Sequence, residues 1–279
     1  METPFVSDSR KELDGRALSR LGSAARLGMR RVAEALVDSY REAGAEAAQA
    51  PHVAEDLARI QFLQGWTGLL ELEELYLLAS TVPDDEVVVE VGSYCGRSTA
   101  ALALGAGCRD HAVVTIDPHT GDIGQSEVVL PSSEPVLRYN LALAGVTSAV
   151  DVQVMTSEDA AAAYVAPPSV GMLFVDGWHT RDAVIADVRA WSRHLSSDAV
   201  VVFDDWHWVE VMAGIREAEA AGLLPERLGC VSNHLVFGSS SRVAQVLPRL
   251  RTLAELAMPR RKYLREQRAP RRGSRTPAH

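Results

Sequence analysis

EVVVEVGSYCGRS, residues 86–98, decides the fold. The apolar run Val87–Val89 is continuous rather than alternating, which suits a strand buried on both faces of a parallel sheet. It enters a turn bearing Gly92 and Gly96, and then the helix-length stretch RSTAALALGAG (97–107). A strand, a glycine turn and a helix start together make the first half of a βαβ unit. Four further runs repeat the texture: AVVTID (112–117), VDVQVM (150–155), GMLFVD (171–176) and AVVVFDD (199–205). Helical spacings lie between them. In TRDAVIADVRAWSRHL (180–195), Val184, Val188, Trp191 and Leu195 form one stripe. LGCVS (228–232) and HLVFG (234–238) are close enough to form an antiparallel hairpin at the sheet edge. The order predicts an α/β fold: a Rossmann-like, doubly wound, mostly parallel seven-stranded sheet with an antiparallel edge strand and right-handed crossovers.

In such sheets, ligands sit at the C-terminal ends of the strands. Here those ends carry Glu90 to Ser93, Asp117, Asp176, and Asp204 with Asp205. A dinucleotide fingerprint needs Gly-x-Gly-x-x-Gly, but Glu90 stands where its first glycine would be, and a carboxylate there repels a pyrophosphate. Asp117 closes the second strand and can accept ribose hydroxyls. S-adenosylmethionine has a ribose and no phosphate, and it carries an ammonium and a sulfonium. The acidic loop therefore favours it. The expected contacts are Glu90, Gly92, Ser93, Tyr94, Gly96, Ser98 and Asp117, with Asp176 and Trp178 closing the site. Ser157 or Glu158, after the third strand, is placed to meet adenine, although Thr156 or Ser157 could equally cap a helix.

Asp176-Gly-Trp-His179 ends the fourth strand and Asp204-Asp205-Trp-His207-Trp208 the fifth. Three carboxylates on adjacent strand ends repel one another unless neutralised. An all-oxygen set suits a hard cation such as Mg²⁺, which can lower the pKa of a substrate hydroxyl. His179, three residues past Asp176, is the candidate general base; His207 is its rival and His119 a third. Trp178, Trp206 and Trp208 could stack on substrate or face the sulfonium. Trp66 and Trp191 are assigned to packing.

The motifs VVVEVGSYCGRST, VVTIDP, MLFVDGWHTRDAVIADVRAW and VVVFDDWHW make residues 86–238 resemble class I S-adenosylmethionine-dependent methyltransferases. The likeness is to the group of macrolide-sugar O-methyltransferases and cephalosporin methoxylation proteins. It implies that Asp176, Asp204 and Asp205 match Mg²⁺ ligands, with Asp204 where some members have Glu, and that His179 matches a proposed base. It also implies a homo-oligomer, a dimer or higher. The expected activity is O-methylation of a small molecule of natural-product or sugar type. Rival readings are an NAD-dependent oxidoreductase, a non-catalytic S-adenosylmethionine-binding partner protein and an RNA methyltransferase.

Residues 1–80 read as a helical lid or oligomerisation segment. Val32, Leu36 and Tyr40 recur at helical spacing, as do Leu72, Leu75, Tyr76 and Ala79, with a break expected at Pro51. Residues 81–240 then form the cofactor-binding catalytic domain, starting with a turn at TVPDD (81–85). Residues 241–279 form a C-terminal helix and a basic tail, expected to be disordered after about residue 268. The segment 118–132 is a candidate acceptor lid.

The tail at 249–279 holds ten Lys/Arg and two Glu, a net +8, so residues 1–248 carry −17 of the chain's −9. A body that acidic is a poor partner for nucleic acid. No apolar run is long enough for a membrane span and no signal segment is visible. Cys95, Cys108 and Cys230 neither form a disulfide framework nor show zinc spacing. Together these predict a reduced, cytoplasmic protein.

Overall fold

The computed structural model describes residues 50–120 and 132–254 of the 279-residue chain. The expected helix around Val32–Tyr40, most of the candidate lid and the tail beyond residue 254 lie outside the described residues. The elements are α1 (Ala50–Ile60), α2 (Leu69–Ala79), β1 (Glu86–Val91), α3 (Arg97–Gly105), β2 (Val113–Ile116), α4 (Glu134–Ala144), β3 (Val150–Gln153), α5 (Ser157–Ala163), β4 (Ser169–Val175), α6 (Arg181–Trp191), β5 (Leu195–Phe203), α7 (Val209–Ala220), β6 (Arg227–Val231) and β7 (His234–Phe237). Residues 247–254 are helical again.

The seven strands form one sheet in the order β3-β2-β1-β4-β5-β7-β6. The first five are parallel; β7 runs antiparallel to both β5 and β6. The α/β reading holds, and the hairpin lies at the sheet edge as predicted. Strand alternation sorts the core into two layers. Val88, Val113, Met172, Phe174, Val202 and Val236 face α1–α4 and the 243–253 segment. Val89, Val114, Leu173, Val201, Phe203 and Phe237 face α5–α7.

Pro51 lies in the first turn of α1, where its missing N–H removes no intrahelical bond, and the chain before Ala50 lies outside the described residues. One local expectation is corrected. Leu195 is not the end of the α6 stripe. The helix stops at Trp191, a 3₁₀ turn follows at Ser192–His194, and Leu195 opens β5.

The sheet's hydrogen bonding runs one residue past four strands. Asp117 N donates to Gln153 O (3.2 Å), Gly92 N to Ile116 O (2.8 Å), Asp176 N to Val91 O (2.8 Å) and Asp204 N to Val175 O (3.1 Å). These residues therefore sit on sheet geometry rather than on free loops. No described helix is long and apolar enough to cross a membrane.

Candidate functional site

The turn after β1 is built by backbone geometry. Gly92 has φ +87°, and a Cβ there would lie 2.1 Å from the Asp176 carbonyl oxygen. Glycine is thus required by contact with the end of β4, and the β1 turn and the Asp176 turn are packed together. Gly96, at φ +81°, caps α3 in the left-handed conformation. Asp117 ties the turn to β2. Its Oδ2 accepts from Ser93 N (3.1 Å) and Tyr94 N (2.8 Å), and its Oδ1 accepts from His119 N (2.7 Å). Its side chain keeps 19% exposure, so one side of the carboxylate still faces the mouth. Tyr94, His119 and Asp205 are non-glycine residues with φ of 46°, 50° and 45°. Such conformations persist where surrounding bonds impose them and cluster at functional sites.

Glu90 points away from the surface, toward α3. It is fully buried, and its Oε2 accepts from Thr99 Oγ1 (2.5 Å) and Thr115 Oγ1 (2.6 Å). Burial pushes its carboxyl up, against the lowering effect of the Ser98, Thr115 and Thr99 hydroxyls. Its Oε1 is buried without a formed hydrogen bond, an acceptor beneath the turn. Ser93 and Ser98 are buried. Tyr94 is half-buried, and its hydroxyl accepts from Gln64 Nε2 at 3.3 Å.

After β3, Thr156 caps α5 by accepting from Asp159 N. Ser157 Oγ accepts from the Trp191 indole N–H at 3.1 Å and also bonds Asp187. Its hydroxyl is therefore engaged in packing, while Glu158 is exposed in the first turn of α5. Trp191 is fully buried, as expected. Trp66 is not: it is 79% exposed. Its neighbour Gly65 packs on the Arg97 side chain and accepts a hydrogen bond from it (3.2 Å), turning Trp66 outward.

The ends of β4 and β5 bring the acids together. One ligand atom each from Asp176, His179 and Asp204 lies within 4.8 Å of the others. His179 Nε2 is 3.7 Å from Asp176 Oδ1 and 3.6 Å from Asp205 Oδ2, and it is buried without a hydrogen bond. Burial raises Asp176 well above the usual carboxylate range; the charge of Asp204, a hydrogen bond with it, and the charges of Glu90 and Asp205 push the same way. Two facing carboxyl groups, beside an imidazole nitrogen that makes no hydrogen bond, form a set that a hard cation would satisfy. Burial lowers the pKa of His179, while Asp204 pulls it upward. The neutral imidazole is the form that can ligate or accept a proton. Trp208 packs on this ring, with centroids 5.0 Å apart. His207 Nε2 lies 3.8 Å from Asp205 Oδ1, with 26% of its side chain exposed. His119 is buried with Nδ1 2.7 Å from Ser133 Oγ. Trp178 is 52% exposed at the mouth, whereas Trp206 is half-buried, with its indole N–H near Ser232 O (3.4 Å).

Residues missed by the sequence reading lie behind the acids. Glu74 and His234 are both fully buried; Glu74 Oε2 is 2.8 Å from His234 Nδ1, and His234 Nε2 is 3.5 Å from Asp204 Oδ1. The local signal was faint: three glutamates in the apolar helix LLELEELYLLA, and a histidine opening a buried strand.

Residues 89–206 match a protein family described as a methyltransferase domain. Among solved structures, the O-methyltransferase NovP aligns with a TM-score of 0.52 at 16% identity, covering 77% of this chain and 98% of that one. Cofactor-bound Rv0187 from MTB aligns at TM-score 0.49 and 24% identity, over 67% and 89% of the two chains. TomG from Streptomyces achromogenes, involved in tomaymycin synthesis and solved with SAM, aligns at 0.46 and 18%, over 67% and 89%.

Proposed function

We propose, from the methyltransferase domain that residues 89–206 carry, that this chain transfers the methyl group of S-adenosylmethionine to a hydroxyl oxygen of a small molecule of natural-product or sugar type. One observation supports the reading above the others. The glycine turn after β1 packs directly on the Asp176 backbone, through the position where a Gly92 Cβ would fall. A cofactor on that turn and an acceptor at Asp176 and His179 would share one mouth.

S-adenosylmethionine, when bound, supplies an electrophilic methyl on its sulfonium. Asp117 offers its exposed side to ribose hydroxyls, and the buried carboxyl of Glu90 lies beneath the turn on which the ammonium would rest. Asp176 and Asp204, with Asp205 beside them, would hold a divalent cation, which supplies Lewis acidity toward a hydroxyl. His179 takes the hydroxyl proton at Nε2. Trp178 and Trp208 wall the approach and exclude water from it. Positioning accounts for most of the acceleration in such a transfer.

A second reading is favoured by the clustering of His179 with Asp176 and Asp204. In it His179 is a cation ligand and His207 is the base. His179→Ala separates the two. In the first reading it removes most turnover while Mn²⁺ binding persists; in the second it weakens Mn²⁺ binding itself. Wild-type turnover in His179→Ala would exclude both roles. Full activity after exhaustive chelation would remove the cation from the reaction. Calorimetric titration with S-adenosylmethionine and with NAD tests the cofactor: binding of NAD alone would overturn the methyl-transfer reading in favour of an oxidoreductase.

A further inference from the structure

Helix α2 carries three glutamates that solvent does not reach: Glu71, Glu73 and Glu74 are 2%, 0% and 0% exposed. Buried carboxylates persist only against partners, and each has one. Glu71 Oε1 accepts from Ser232 Oγ. Glu73 Oε1 accepts from Arg249 Nε at 2.6 Å. Glu74 Oε2 lies 2.8 Å from His234 Nδ1. The third pair differs from the others because the second nitrogen of its imidazole faces the candidate site.

The geometry follows from the direction of β7. A strand parallel to β5 would bring its last residue to the mouth. β7 is antiparallel and pairs Leu235 with Phe203, so its first residue, His234, arrives beside Asp204. His234 Nε2 is wholly buried, makes no hydrogen bond, and lies 3.5 Å from Asp204 Oδ1. The ring is wedged edge-on against Phe174, with centroids 5.3 Å apart and planes at 67°. Asp204 is fixed at its backbone by the bond from its N–H to Val175 O. The imidazole lies behind its side chain.

We propose that Glu74 and His234 are positioning residues for Asp204. Glu74 holds the imidazole through Nδ1, and Nε2 in turn holds one oxygen of Asp204, so the carboxylate presents itself to Asp176 and His179 in one orientation. The role rests on the cation reading of that cluster. It also makes α2, which precedes the matched domain in sequence, a structural part of the site. Groups that orient a metal ligand from outside the ligand set typically change metal affinity 10–100-fold when removed.

The test is a Mn²⁺ titration of the full chain, read by the electron paramagnetic resonance of the free ion, with no cofactor or acceptor present. Four variants are compared with wild type: Glu74→Gln, His234→Leu, His234→Gln and Glu73→Gln. Each is first checked for a cooperative thermal transition. Glu74→Gln and His234→Leu should weaken Mn²⁺ binding by about 10-fold or more. His234→Gln, which keeps an N–H near the place of Nε2, should retain most of the affinity. Glu73→Gln disturbs an equally buried pair that does not touch Asp204, so it should lower stability and leave Mn²⁺ affinity within about twofold. If His234→Leu does not fold, Glu74→Gln decides. Unchanged affinity in a folded Glu74→Gln, or an equal loss in Glu73→Gln, overturns the positioning role alone. A wild-type chain that binds no Mn²⁺ overturns the cation reading and the positioning role with it.

Discussion

Asp187, on α6, should make the protein less stable as pH rises, and replacing it with asparagine should remove that dependence. The residue is 6% exposed. Burial is the main cause that raises its pKa from 3.8 to about 7; the Ser157 hydroxyl lowers it and the Glu158 charge adds to the rise. Between those two values the folded state holds a proton that the unfolded chain has released, so stability falls with pH across that window. Each pKa unit corresponds to about 1.4 kcal/mol, so the full difference is about 4 kcal/mol, complete above pH 7. The amide of an Asp187→Asn variant carries no titrating proton and escapes this penalty. Urea unfolding of wild type and Asp187→Asn at pH 4.5 and pH 8 measures it, because other titrating groups cancel in the difference. The stability of the variant relative to wild type should rise by about 3–4 kcal/mol from the lower to the higher pH. A relative stability independent of pH would refute the assignment of a buried, proton-holding carboxyl at this position.

Gly92→Ala should destabilise by about 2–4 kcal/mol, combining left-handed strain with a Cβ forced onto the Asp176 backbone. It should also lower cofactor affinity and turnover together; thermal melts and calorimetry would show both. Arg249→Met should cost about 3–5 kcal/mol by leaving Glu73 buried without its cation, and Glu73→Leu in the same chain should restore most of it. Chemical denaturation of the single and double variants measures the difference.

The sheet was legible because its central strands are apolar on both faces, a pattern that suits a parallel sheet between helices, and because helix-length stretches separate them. The strand ends were legible for the same reason: Asp117, Asp176 and Asp204 each break a continuous run. Leu195 was misassigned because it lies four residues past Trp191 and fits the helical stripe, although the 3₁₀ turn at Ser192–His194 had already ended the helix. The buried acids of α2 were invisible to periodicity. A stripe of Leu72, Leu75, Tyr76 and Ala79 implies a solvated opposite face. The residues that cover Glu71, Glu73 and Glu74 are Ser232, Arg249 and His234, about 160 or more positions away, a separation no local pattern can register. Of the site itself, the residue types could be read from sequence. The Gly92 contact with Asp176 could not, because it joins the ends of two strands.

The hydrogen bonds that continue the sheet past β1, β2, β4 and β5 into Gly92, Asp117, Asp176 and Asp204 also bear on affinity. A recognition site made of mobile loops must be ordered by its ligand, and that entropy is subtracted from binding. In this chain the backbone of the mouth is fixed at folding, by the same ladder that fixes the core. On the proposed function, a ligand arriving there finds that backbone already in place, and the free energy of its contacts is available for affinity and for distinguishing one ligand from another.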